Sequence, residues 1–226
     1  MLKIVKIVDL SLPLNIDTPI YPGDPKPDVT VATTIEHEGY NLFNLHLGTQ
    51  TGSHIDAPYH FNNQGATVDA VELKQCFGNG LVIDVSHKQA NEAIVLADVV
   101  GFAEQLSRCD IVLLKTGWDS TRGTEAFFTH PYLSLEAADY ILSKDVKTIA
   151  IDTINLDKTG GTQFPVHQRF AEVGGIIAEN LAGFAAIDFE HPLISVLPLN
   201  LTACDGSPVR AVAIQAQWSA DNTYSA

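Results

Sequence analysis

The chain has 226 residues, 46% of them hydrophobic, enough to bury a sizeable core, and its formal net charge is -14. Only 13 Lys and Arg stand against 27 Asp and Glu, which excludes the clustered cations that nucleic-acid phosphates or an anionic membrane surface need. Cys76, Cys109 and Cys204 are scattered, odd in number and form no CxxC pair, so neither a disulfide framework nor a thiolate zinc site is expected.

Residues 1–8 alternate like a strand and lack the apolar run and small-residue cleavage site of a signal peptide. Apolar runs elsewhere are too short to span a bilayer, so a soluble, cytoplasmic protein with no membrane or nucleic-acid partner is expected. Tyr21-Pro22-Gly23-Asp24-Pro25 is a loop by its Pro and Gly content. Residues 28–36 are β-branched and residues 41–47 alternate imperfectly, a pair suited to antiparallel pairing. Residues 81–85 read as a short apolar strand, and residues 96–106 as a helix with Ala97, Val100, Phe102, Ala103 and Leu106 mostly on one side. Residues 111–116 form the next strand. Ser134 is placed to cap a helix that begins Leu135-Glu136-Ala137-Ala138, with Glu136 in its favourable first turn. Residues 146–151 are again a strand, and Ile176-Ile177 onward reads as a turn of helix or a loop. Residues 185–188 and 195–199 continue the alternation, and residues 209–217 close it with a strand. No repeat or Gly/Ser linker divides the chain. These signals predict one α/β domain over residues 1–226 with a mixed sheet.

The densest chemistry lies in Gln50-Thr51-Gly52-Ser53-His54-Ile55-Asp56-Ala57-Pro58-Tyr59-His60. In an extended segment the side chains of His54 and Asp56 share a face, so both can reach one divalent ion. Gly52 opens backbone conformations closed to other residues, and Pro58 stiffens the exit. A metal ion held here would make hydroxide from water near neutral pH. On composition alone a polar turn with ordinary hydrogen bonds accounts for the segment as well, because two His and one Asp do not fill a three-ligand catalytic zinc site.

The segment resembles the motif His-x-Gly-Thr-His-x-Asp-x-Pro-x-His of the cyclase family of metal-dependent hydrolases, which includes bacterial kynurenine formamidase and isatin hydrolase. Gly52, His54, Asp56, Pro58 and His60 match it, Ser53 replaces Thr, and Gln50 stands where the first His is expected. Asp9-Leu10-Ser11, Tyr21-Pro22-Gly23-Asp24, residues 113–118 and 133–138, Ile151-Asp152-Thr153, Glu179-Asn180-Leu181 and residues 205–210 are also similar to family segments. The resemblance implies a swivelling β/β/α domain and a homo-oligomer, dimer or tetramer. It implies a divalent metal, zinc or manganese, as one or two ions per subunit. It assigns the motif residues with Gln50 in the first position to one ion, His167 and Glu179 to a second, and Asp56 to both. His60 takes the place of the family's proton-transfer histidine, a role that suits an imidazole pKa near ambient pH.

Gln50 leaves three readings open: it ligates a harder ion such as manganese or magnesium, it leaves the first position empty, or it marks a member that has lost catalysis. His46 lies an even number of residues before Gln50 and could supply an imidazole, though a strand histidine is the simpler reading. Tyr21, Trp118 and Phe164 are candidates to line the substrate pocket, with core packing as the alternative. Glu172 competes with Glu179 as ligand, and Asp152 either orients a ligand or caps a turn. No Gly-x-Ser-x-Gly elbow is present, which removes a serine hydrolase. The expected function is hydrolysis of an amide or ester in a small molecule, of aryl formamide, cyclic amide or lactone type, by metal-bound hydroxide. A metal-dependent cyclase or dehydratase, and a binding protein of the same fold without catalysis, are the alternatives.

Overall fold

Four consecutive residues, Ile111 to Leu114, are completely buried, as happens when a strand is covered on both faces. In a computed structural model that describes residues 2–218, the strand they form, Ile111–Lys115, is the middle of a nine-stranded mixed sheet. Met1 and residues 219–226, which the expected 1–226 domain includes, lie outside the described residues. Across the sheet the strands run Leu2–Asp9, Val212–Trp218, Leu193–Ser195, Phe77–Asp84, Ile111–Lys115, Thr148–Ile151, Ile176–Glu179, His54–Asp56 and Gly206–Pro208. The four from Phe77–Asp84 to Ile176–Glu179 are parallel, and the rest pair antiparallel on either side.

The period-two pattern builds two cores. Leu113, Ala150, Ala178, Ile55 and Ile194 point into one. Val112, Leu114, Ile149 and Ile177 point into the other, where the helices Leu135–Leu142 and Pro165–Glu172 cover them with Ile141, Val166 and Phe170. Ser134 caps the first helix as its sequence predicts, its hydroxyl accepting from Ala137 N–H at 3.3 Å.

Four expected elements differ. The helix expected over residues 96–106 is broken into Leu96–Val99, a 3-10 turn Val100–Phe102, and Ala103–Leu106. Two adjacent valines and Gly101 at its centre explain the break. Ile176-Ile177 begins neither a helix nor a loop but the buried strand Ile176–Glu179, because a short apolar run covered on both faces carries no periodicity to distinguish it. Residues 185–188 hold the end of a 3-10 turn, Phe184–Ala186, and the later strand lies at Leu193–Ser195 rather than over 195–199.

Strands Asp28–Thr33 and Leu42–His46 form a separate two-stranded ribbon, and every residue of the second is exposed. No helix among the described residues is long and apolar enough to cross a membrane.

Candidate metal centre and active site

Strand register assembles the centre. In the antiparallel ladder, Glu179 stands opposite His54 and Ile177 opposite Asp56, while Gly206 faces Asp56 from the other side. Residues 54, 56 and 179 therefore point to one side, and Ile55 and Ala178 to the core on the other. Gly52 has φ +71, in the left-handed region, which turns the chain into this strand. The Ser53 hydroxyl accepts from Leu12 N–H (2.8 Å) and donates to the Asn180 carbonyl (2.6 Å), tying the motif to the residue after Glu179.

His167 arrives on the helix Pro165–Glu172, which starts with Pro at its first position. The Asp157 carboxylate accepts from the free N–H groups of Val166 (3.1 Å) and His167 (3.0 Å) and from His167 Nδ1 (2.7 Å). One side chain thus caps the helix and fixes the imidazole, leaving His167 Nε2 3.1 Å from Glu179 Oε1 and 3.4 Å from Asp56 Oδ2. His54 is fixed the same way. Its Nδ1 lies 2.7 Å from the Gly52 carbonyl, which only accepts, so Nδ1 carries the hydrogen and Nε2 presents its lone pair. That Nε2 is 3.6 Å from Asp56 Oδ1 and 3.7 Å from Glu179 Oε2. One ligand atom from each of His54, Asp56 and Glu179 lies within 4.8 Å of the others.

Asp56 is 5% exposed, and neither of its carboxylate oxygens accepts a hydrogen bond. Burial works against its charge, but the imidazoles of His167, His60 and His54 hold its pKa below the ordinary carboxylate value. Burial likewise opposes a charged His167, yet Glu179, Asp157 and Asp56 lift its pKa well above the usual imidazole value. A buried ionised carboxylate without hydrogen bonds is costly, and two imidazoles with two carboxylates are a donor set suited to a divalent cation.

His60 lies beside this centre. Its Nδ1 is 2.8 Å from Asp205 Oδ2, which also accepts from Gln50 Nε2 at 2.9 Å, while Thr49 Oγ1 donates to Asp205 Oδ1 at 2.8 Å. The hydrogen bond from His60 leads the causes that hold the Asp205 carboxyl far below the usual range. Burial disfavours a charged His60, but Asp205 and Asp56 raise its pKa above the ordinary value. Because a carboxylate only accepts, the Gln50 amide nitrogen faces Asp205, and Gln50 Oε1 is left buried with no donor. This packing needs Gly206, where a Cβ would stand 2.5 Å from Gln50 Nε2 and from the Ile55 carbonyl.

A cavity of about 160 Å³ opens over these groups. It brings together Tyr21, Gln50, His54, Asp56, His60, Phe164, His167 and Glu179. Phe61, Phe164 and Tyr21 form its aromatic wall, with ring centroids 5.4 Å apart for Phe61 and Phe164 and 6.3 Å for Tyr21 and Phe164. Tyr21 OH accepts from Gly160 N–H at 3.2 Å. Trp118 is the correction among the pocket candidates. It lies outside the cavity lining and donates its indole N–H to the Ala126 carbonyl at 2.9 Å, because Gly117 (φ +73) turns the chain away from the strand end. His46 stays on the exposed ribbon, and Glu172 is exposed beside Arg169. Asp152 caps a turn, accepting from Thr116 N–H and Gly117 N–H.

Sequence reasoning gave no role to Asp157, Asp205, Phe61, Asn155, Asn180 or Asp24. Four were within reach: Asp24, Asn180 and Asp205 stand in segments already similar to the family, and Phe61 follows His60 directly. Asp157 had no signal beyond an acid upstream of a Pro-started helix. Burial, with Asp205 and Asp56 nearby, holds the Asp24 carboxyl above its usual range, although His54 and His60 work the other way.

An α/β fold that gathers two buried imidazoles and two buried acids at one place on its sheet defines a candidate metal centre. The profile of the family described as "Putative cyclase" matches residues 8–158. Over 214 residues the chain is 33% identical to a kynurenine formamidase of Bacillus mycoides (strain KBAB4), covering 93% of this chain and 98% of that one. The fold is that of an isatin hydrolase solved with the product analogue thioisatinate, with TM-score 0.86, 21% identity, and 94% and 93% of the two chains covered. It is likewise that of a potential metal-dependent hydrolase with cyclase activity, with TM-score 0.76, 23% identity and 93% and 98% covered. The chain belongs to the cyclase family.

Proposed function

We propose that this enzyme holds a divalent cation with His54, Asp56, His167 and Glu179 and hydrolyses a small aryl formamide, cyclic amide or lactone. The observation that carries the reading is Asp56, whose two buried oxygens accept no hydrogen bond although the imidazoles of His54 and His167 stand 3.6 and 3.4 Å away. A divalent cation supplies Lewis acidity toward a carbonyl and makes water acidic near neutral pH. The chain's own residues do the rest. Gly52 and Asp157 fix the two imidazoles so that each presents Nε2. His60, with Nδ1 engaged by Asp205, offers Nε2 to carry a proton between the attacking water and the leaving nitrogen or oxygen. Phe61, Phe164 and Tyr21 give a flat substrate ring a wall to lie against.

Gln50 Oε1 is a second buried acceptor without a donor on this cavity, and a neutral amide oxygen is the donor a harder ion prefers. This favours manganese over zinc, and Gln50→His is expected to move the preference toward zinc. The strands at the two ends of the described chain pair with each other, which supports one domain. A homo-oligomer, dimer or tetramer, would cover the ribbon on which Leu42, Phe43 and Leu45 are 49%, 55% and 63% exposed, since an isolated two-stranded ribbon is marginal alone. Three free cysteines fit a cytoplasmic setting.

The test is turnover of formanilide before and after dialysis against a chelator. Loss of activity and its return with manganese or zinc is expected. Turnover that survives complete metal removal would sink the reading.

A further inference from the structure

A short strap, residues 158–163, joins Asp157, which holds His167, to Phe164 in the aromatic wall. Both of its ends are pinned. Asp157 N–H donates to Asn155 Oδ1 at 3.1 Å, and the Phe164 carbonyl accepts from Gln168 N–H at 3.0 Å where the helix begins. Between the ends no residue is buried, and Gly160, at φ +77, stands near the middle. Inside the strap Gly161 N–H meets the Lys158 carbonyl only at 3.4 Å. A segment with so few ties of its own opens locally at little cost.

Two side chains from elsewhere hold it. One is Tyr21, whose hydroxyl accepts from Gly160 N–H at 3.2 Å. The other is His130, 1% exposed and outside the cavity lining. Its Nδ1 is 2.8 Å from the Pro131 carbonyl, which only accepts, so Nδ1 carries the hydrogen. Burial disfavours the charged ring, outweighs the Pro131 carbonyl and holds the pKa below the usual imidazole value. In the neutral ring Nε2 is an acceptor, and Thr159 Oγ1 donates to it at 2.7 Å. Packing alone does not call for an imidazole here; the one acceptor it brings is engaged by the strap.

We infer that His130 is a positioning residue: through Thr159 it holds the strap so that Gly160 keeps the Tyr21 ring of the aromatic wall in place for substrate. It acts at second hand, through Thr159 and Gly160, and takes no part in the donor set. Its loss therefore loosens the wall and leaves His54, Asp56, His167 and Glu179 as they are, since Asp157 has its own bonds to the helix. The kinetic part of this inference rests on the hydrolase reading; the hold on the strap does not.

Trypsin reads the hold directly, because Lys158 is exposed in the strap. Its cleavage is followed by mass spectrometry against cleavage after Lys74, whose side chain is 81% exposed, so that global unfolding cancels. Thr159→Val, which keeps the shape and removes the donor, and His130→Phe should each raise the Lys158 to Lys74 ratio by about fivefold or more. His130→Gln restores an acceptor and should stay within about twofold of wild type. With the manganese-loaded enzyme and formanilide, Thr159→Val should raise KM about threefold or more and leave kcat within about twofold. Tyr21→Phe should raise KM as well, and adding Thr159→Val to it should change KM by less than about twofold, because both ties hold one strap.

If His130→Phe fails to fold, Thr159→Val decides. Cleavage after Lys158 no faster in Thr159→Val than in wild type, a fall in kcat with KM unchanged, or a His130→Gln strap as loose as that of Thr159→Val would overturn the inference. Faster cleavage in Thr159→Val, alongside a wild type that turns over no formanilide, would instead remove the hydrolase reading and leave the hold of His130 on the strap standing.

Discussion

Asp56 and Asp152 are two buried carboxylates carried by one sheet, 5% and 1% exposed. Asp152 follows the strand Thr148–Ile151 and is fully provided with donors: Thr116 N–H at 2.9 Å, Thr116 Oγ1 at 2.6 Å and Gly117 N–H at 2.8 Å. It has no cation beside it, and burial, outweighing those hydrogen bonds and aided by Asp119, pushes its pKa up to about 6. Asp56 has the opposite surroundings, imidazole nitrogens of His167 and His54 at 3.4 and 3.6 Å and no hydrogen bond to either oxygen. Neutral donors satisfy oxygens without supplying charge, and nearby imidazoles supply charge without satisfying oxygens. Asp152 is therefore complete as structure, whereas Asp56 is completed by something that enters.

Four measurements would break or sharpen that contrast. The largest effect is expected at Asp56. Asp56→Ala should lower turnover of formanilide by about 1,000-fold or more and abolish the rise in Tm that saturating manganese gives the wild type. A variant that still binds manganese and is still stabilised by it would erase the difference between the two acids. His60→Gln should lower kcat by about 100- to 10,000-fold while metal analysis finds the wild-type content, because His60 moves a proton rather than holding the ion. Loss of metal in that variant would place His60 in the donor set.

Asp205→Asn should cost less, about 10- to 100-fold in kcat, since it acts through the orientation, tautomer and charge of His60 and the placement of Gln50. An effect on KM with kcat untouched would argue for a substrate contact instead. The smallest effect concerns Asp152 and stability. Its folded pKa of about 6 lies above the reference 3.8, so the folded protein binds the proton more tightly than the unfolded chain does. The resulting stability is fully present below pH 3.8 and is lost as pH rises through about 6, with a ceiling of roughly 3 kcal/mol. Relative to wild type, Asp152→Asn should flatten the pH dependence of urea unfolding between those values. Parallel wild-type and variant curves across that window would show that burial at Asp152 carries no such linkage.

The sequence made the near half of the site legible. His54 and Asp56 share a face because their strand alternates, and that inference needs only local geometry. His167 and Glu179 came from resemblance, because no local pattern says that a helix starting at Pro165 and a strand ending at Glu179 meet the early motif. The strand Ile176–Glu179 was obscured by its own burial, since a run apolar on both faces reads the same in a helix or a loop. Asp205 and Asp157 were hidden for a related reason. Each holds an imidazole ring through one hydrogen bond to its Nδ1, a relation that leaves no spacing in the chain. Trp118 misled because aromatic size announces burial but not direction, and a left-handed Gly117 sent it elsewhere.

The ladder between His54–Asp56 and Ile176–Glu179 is only three pairs long. Slipping it by one residue would swing Ile55 or Ala178 into the cavity and send a histidine and an acid into grease. A cation offered during refolding would therefore act as a proofreader of strand alignment, rewarding the one pairing that gathers its donors and leaving misaligned chains unrewarded.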